Sequence, residues 1–202
     1  MKKLLKLTAL MSLFIALSFV PTNNKTIIVL DAGHGGKDLG AQNDGFSEKD
    51  YTLAIAKQIV RQNQNKNIEF VLTRDGDQFV SLDERTQKIN QIKPDLMISI
   101  HLNNAQNTDT NGIEFYVSNE NPQYDKSMKY AEMLSENFGH SIFYNRGVKD
   151  NRFYILRNSD CPAIIANIGF LSNRKDRDYL KSEGSKIDIA DKILSFIDGL
   201  NH

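Results

Sequence analysis

Apolar residues follow two rhythms along this chain. Five short runs rich in β-branched and aromatic residues read as strands: Thr26 to Leu30, Ile68 to Thr73, Asp95 to Ile100, Gly112 to Val117 and Ala163 to Asn167. Between them lie stretches of helical spacing. Glu48 to Asn63 places Tyr51, Ala54, Ile55, Ile59 and Val60 on one face, and Ile187, Ala190, Ile193, Leu194 and Ile197 repeat the pattern near the end. A further helix is expected around Met128 to Phe138, and Arg152 to Leu156 reads as a β-like edge piece. Alternating strands and helices predict an α/β fold with a mostly parallel sheet and helices on both faces. With no internal repeat and no low-complexity linker, a single domain is the expectation.

Composition narrows the partners. The 202 residues carry 25 basic and 25 acidic side chains, so no net field draws the chain to nucleic acid. Cys161 is the lone cysteine, which excludes an internal disulfide and a thiolate zinc cluster. A metal would need His and carboxylate ligands, and there are four histidines, His34, His101, His140 and His202. Lys2, Lys3 and Lys6 precede an uncharged run from Leu7 to Val20, which suits a secretory signal over residues 1–18, to about 22. Fourteen residues fall short of the roughly 20 that span a bilayer. Export to the periplasm or cell wall is therefore expected, as a monomer with no stable membrane partner after cleavage.

Two of the strand-like runs end in histidine. The first enters the glycine-dense loop LDAGHGGKDLG, which places His34 where ligands bind in open α/β sheets. Its spacing fits neither a phosphate loop nor a dinucleotide fingerprint. The third run, DLMISIHLN, ends in His101. Between them, Ser47-Glu-Lys-Asp50 reads as a helix start, with Ser47 as N-cap and Asp50 as its reciprocal partner. Glu48 there either complements the helix dipole or joins the histidines. Two imidazoles and one carboxylate form a hydrolytic zinc set with a fourth position open, although each histidine alone also fits a structural role.

The ordered motifs IVLDAGHGGKDLGA, SEKDYTLAIAKQI, VLTRDGD, DLMISIHLN, GIEFYV, RGVKDNRFYILRNSDCPAII and GFLSN resemble the zinc-dependent N-acetylmuramoyl-L-alanine amidases of the third amidase family, over residues 26–200. The resemblance implies a sheet of about six strands, with Zn2+ held by His34, Glu48 and His101. It also implies hydrolysis of the amide between N-acetylmuramic acid and L-alanine in peptidoglycan. Some relatives carry a blocking helix after the second zinc histidine; here 102–145 already has to hold a strand and a helix, so an open groove is expected.

One position departs from the family. Where the resemblance implies the catalytic glutamate, PAIIANIGFLSN has Asn167. A carboxamide can orient water but has no useful proton affinity near neutral pH. Glu114 and Asp160 are the carboxylates considered as substitutes. Asn103, Arg146 and Lys149 are candidates for substrate contact, and Arg74 and Arg85 for structural ion pairing. Two functions follow: an amidase with impaired proton transfer, or an amidase-like zinc protein that binds peptidoglycan or a cell-wall partner without turnover. The ordered motifs disfavour a plain carboxypeptidase-like zinc hydrolase.

Overall fold

In the computed structural model, which describes residues 25–139 and 143–200, six strands hydrogen bond into one sheet. The signal-like segment, His140 and His202 lie outside the described residues. In chain order the elements are β1 (Thr26–Ala32), β2 (Gln42–Asn43), β3 (Phe46–Ser47), α1 (Glu48–Gln62), β4 (Ile68–Leu72), α2 (Leu82–Ile92) and β5 (Leu96–Asn103). Then come β6 (Ile113–Val117), α3 (Tyr124–Asn137), β7 (Asn145–Asp150), α4 (Tyr154–Arg157), β8 (Ala163–Phe170), α5 (Arg174–Lys181) and α6 (Ser185–Gly199). The sheet order is β4-β1-β5-β8-β6-β7. Every pairing is parallel except β6 against β8. The carboxyl ends of β1, β5 and β8 therefore share one edge of the sheet.

Residue alternation divides the strands between two faces. Ile28, Leu30, Ile98, Ile100, Ile113, Phe115, Ile164 and Ala166 join the larger buried cluster with Ile55 and Ile59 of α1, Leu134 of α3 and Ile193 of α6. The opposite face is thinner: Val29, Met97, Ala163 and Ile165 pack with Ile89 of α2 and Ile155 and Leu156 of α4. Burying a side chain of this size contributes about 1.5–3 kcal/mol, so the larger cluster supplies most of the hydrophobic stabilisation.

Some local expectations changed. The polar segment Asn145–Asp150 supplies the sheet edge as β7, whereas the β-like Arg152–Leu156 gives way to the short helix α4. Its apolar residues are spent on the second face, with Ile155 and Leu156 buried. Helix α2 carried a readable start that the hydrophobic pattern did not flag: Ser81 and Glu84 form a complete capping box. At α1, Ser47 is the N-cap in an extended conformation, but its hydroxyl donates to Asp50 at 2.5 Å and makes no backbone cap.

Candidate active site

His34 leaves β1 in a left-handed backbone conformation, φ 61°, in a loop closed by paired backbone hydrogen bonds between Gly35 and Asp38. Such a conformation is unfavourable for a residue with a Cβ, and neighbours hold it in place. Arg85 donates to the His34 carbonyl at 2.5 Å and to that of Ala32 at 2.8 Å. Arg74 donates to the carbonyls of Ala32, Gly33 and Lys49 at 3.0, 2.9 and 2.8 Å. Of the two arginines considered for ion pairing, Arg85 has a buried carboxylate, Asp31, at 2.5 Å, while Arg74 is satisfied mainly by backbone oxygens. Burial opposes ionisation of Asp31, but the charge of Arg85 and hydrogen bonds from Ser99, Thr73 and Arg85 hold its carboxyl below the usual range.

The small β2–β3 hairpin delivers Glu48 from the other side. Its carboxylate is 3% exposed and accepts hydrogen bonds from the Ala41 and Leu102 amides at 2.8 and 3.0 Å. His34 Nε2 lies 3.1 Å and His101 Nδ1 2.9 Å from Glu48 Oε1. The three ligand atoms lie within 4.8 Å of one another. Burial disfavours the Glu48 carboxylate, yet hydrogen bonds and charge from His101 and His34 hold it well below its ordinary pKa. For His34, burial disfavours protonation, but Glu48 and then Asp38 outweigh it and raise the pKa. The pocket is thus built to receive positive charge.

The donor set fits zinc in type: two imidazole nitrogens and a carboxylate oxygen. Asp38 adds a feature the sequence reading missed. Its carboxylate sits 2.9 Å from His34 Nδ1, which ties that nitrogen and leaves Nε2 facing the centre, the usual support for a metal-binding histidine. The signal was present in His-Gly-Gly-Lys-Asp, whose glycines let the loop turn back on itself. Gly33 was missed as well: a Cβ there would lie 2.4 Å from His101 Cε1. A cavity of about 390 Å3 opens beside His34 and His101, rimmed by Asp38, Phe79, Leu82 and Ile155.

Strand register places the remaining candidates. His101 pairs with Asn167 on β8, which pairs with Glu114 on β6. Alternation sends all three to the same face, so they form a row at strand spacings of about 4.8 Å. Among the described residues, no protein group hydrogen bonds to the Asn167 carboxamide. Glu114 is the opposite case. Its Oε1 accepts from Asn103 Nδ2 and Tyr116 Oη, both at 2.7 Å, and its Oε2 from Arg146 Nε at 3.0 Å and from Lys149 Nζ. Burial opposes ionisation of Glu114, but Lys149, Tyr116 and Arg146 lower its pKa, which leaves it a poor proton acceptor. Asp160 precedes β8 near the Met97–Ala163 pair, four residues from the His101–Asn167 pair. That is about 13 Å along the strand, out of reach as a proton shuttle. Helix α3 packs in the larger cluster, and among the described residues no side chain after Leu102 joins the His34, Glu48, His101 group.

With this geometry in hand, the similarities to known proteins take on meaning. The family described as N-acetylmuramoyl-L-alanine amidase, Amidase_3, matches residues 28–199. The chain belongs to that family. It is 33% identical to YqiI of Bacillus subtilis, over 88% of this chain and 85% of YqiI. It is 34% identical to the probable cell wall amidase LytH of Staphylococcus epidermidis, over 83% of this chain and 55% of LytH. The chain thus spans most of the first relative and about half of the second. Among solved structures, an N-acetylmuramoyl-L-alanine amidase from Clostridium difficile 630 has a TM-score of 0.81 at 30% identity, covering 87% of this chain and 96% of that one. The α/β domain with its six-stranded, mostly parallel sheet is the architecture these amidases share. By resemblance the chain is an N-acetylmuramoyl-L-alanine amidase, and peptidoglycan hydrolysis is the activity of its family.

Proposed function

We propose that this chain is an exported, monomeric, zinc-dependent member of the amidase family that engages peptidoglycan at the bond between N-acetylmuramic acid and L-alanine. Asn167, standing in the row between His101 and Glu114, makes its turnover slow. His34, Glu48 and His101 would hold the metal, with Asp38 orienting His34. When bound, a zinc ion supplies Lewis acidity, polarising a carbonyl and lowering the pKa of water.

The chain's own residues do the rest. Cleavage of an amide requires a proton for the departing amine. Asn167 can hydrogen bond to water or to a carbonyl, but it cannot accept a proton at neutral pH and pass it on. Glu114, with four donors on its carboxylate, does not replace it. Loss of a general acid/base typically costs on the order of 10² to 10⁴ in rate. Asn103 then acts through Glu114, while Arg146 and Lys149 face substrate.

The binding-only reading is favoured by the same carboxamide. Stem-peptide release from purified sacculi, measured by mass analysis for wild type and for Asn167→Glu, separates the two. The expected result is a rise of on the order of 10² or more in Asn167→Glu at unchanged zinc content. Wild-type release at ordinary enzyme rates would show that another group carries the proton. A silent Asn167→Glu that still binds sacculi would place the defect in the groove.

A further inference from the structure

Two cations converge on one buried carboxylate beside the candidate metal centre, and the charges do not balance. Glu114 is buried with its side chain 4% exposed, whereas Arg146 and Lys149 are 31% and 38% exposed. A structural ion pair needs one cation; here there are two. No second carboxylate among the described residues pairs with either. Their donor capacity is also in surplus. Arg146 spends Nε on Glu114 and Nη1 on the Asn111 carbonyl at 3.3 Å, and Lys149 spends one of three N–H bonds on Glu114. Flanking rings hold both heads, with Arg146 5.5 Å from the centre of the Phe170 ring and Lys149 5.7 Å from that of Tyr116. These are positioned, partly exposed cations with unused donors.

Asn167 adds no charge to this patch, although it pairs with Glu114 across the sheet. A glutamate in its place would bring the local count to two carboxylates against two cations. The carboxamide leaves one carboxylate against two, a surplus of one positive charge next to the position where the scissile amide would lie.

We infer that Arg146 and Lys149 form a subsite for a free carboxylate on the second residue of the peptidoglycan stem, and that Asn167 strengthens this grip by leaving the cation pair under-neutralised. The inference rests on the amidase-type reading of the site and adds a ligand selectivity to it: stem peptides whose second residue carries a free α-carboxylate are favoured over those in which it is amidated. Distances are consistent. Arg146 and Lys149 stand on β7, three strand spacings or about 14 Å from β5, and their side chains reach back about one spacing to Glu114 on β6, which leaves about 10 Å. A chain two residues past the scissile bond reaches about 7 Å, and a hydrogen bond of about 3 Å closes the remainder.

The test uses the zinc-loaded full chain and two ligands that differ in one group, N-acetylmuramoyl-L-alanyl-γ-D-glutamyl-L-lysine amide and the same tripeptide with the α-carboxylate of its D-glutamyl residue also converted to a carboxamide. Calorimetric titration should show the acid binding about tenfold more tightly, equivalent to about 1.4 kcal/mol, with the ratio shrinking as salt rises. Lys149→Met should weaken the acid alone and bring the two ligands close together. Equal affinities in the wild type would overturn the subsite while leaving the amidase-type reading in place; since that comparison needs no variant, it stands even if Lys149→Met fails to fold. A preference that persists undiminished in a folded Lys149→Met also overturns it. If neither tripeptide binds, the underlying reading falls and the subsite with it.

Discussion

Replacing Asp31 with asparagine removes one charge from beneath the candidate metal centre at almost no change in shape. Asp31 is 1% exposed and Arg85 is 3% exposed. Asp31 Oδ1 accepts from Arg85 at 2.5 Å and from Thr73 at 2.6 Å, and its Oδ2 accepts from Ser99 at 2.6 Å. An asparagine oxygen can keep the first two bonds, and the Ser99 hydroxyl can turn to accept from the new amide. The hydrogen-bond count therefore survives, and what disappears is the counter-charge of a buried guanidinium. Leaving a buried charge unpaired costs about 3–5 kcal/mol, a large share of the 5–15 kcal/mol that typically separates folded from unfolded chains. In a domain of this size that corresponds to a fall in Tm of roughly 6–20 °C.

The pH dependence carries its own sign. Because the folded-state pKa of Asp31 is lowered, its stabilisation is complete above the unfolded value of about 3.9 and is lost as pH falls through the folded value. Urea unfolding of wild type and Asp31→Asn should therefore differ most at neutral pH and converge in acid, where the wild-type carboxyl is protonated too. A difference below about 1 kcal/mol at pH 7, or one that stays constant down to pH 3, refutes the reasoning.

Other consequences are testable separately. Gly33→Ala should push the His101 ring aside, because the new Cβ would meet it at 2.4 Å; competition titration should show zinc affinity lower by tenfold or more. Zinc at about a hundred times its Kd should raise stability by about 2.7 kcal/mol, read as a higher Tm that His101→Ala abolishes. Burial pushes the Cys161 thiol pKa up to about 12. Native protein at pH 8 should accordingly react with a thiol reagent at least 10²-fold more slowly than denatured protein.

The elements easiest to read from sequence were those whose burial imposes a period. β1, β5 and β8 are buried along most of their length, and their continuous apolar runs announced them. β7 escaped notice because NRGVKD is an edge strand without alternation, supported on one side by β6. Segment 152–156 misled because its apolar residues serve a helix of one turn. In the site, His34 and His101 were legible as strand-end residues. The company kept by Glu114 was not, since Asn103, Tyr116, Arg146 and Lys149 meet it only through cross-strand register and side-chain reach. Asp160 shows the converse, being close to Asn167 in sequence yet at the other end of the strand.

The isolation of the Asn167 carboxamide bears on how such a protein can change over generations. His34, Glu48 and His101 are locked into networks drawn from β1, α1 and β5, so replacing any of them disturbs the scaffold. Position 167 sits on β8 with a side chain that supports nothing among the described residues. A substitution there breaks no hydrogen bond among the described residues, while a carboxylate would stand beside Glu114 on the neighbouring strand. Exchanging carboxamide for carboxylate there leaves the hydrogen bonds among the described residues in place, so a change in the chemistry of this site is separable from a change in its scaffold.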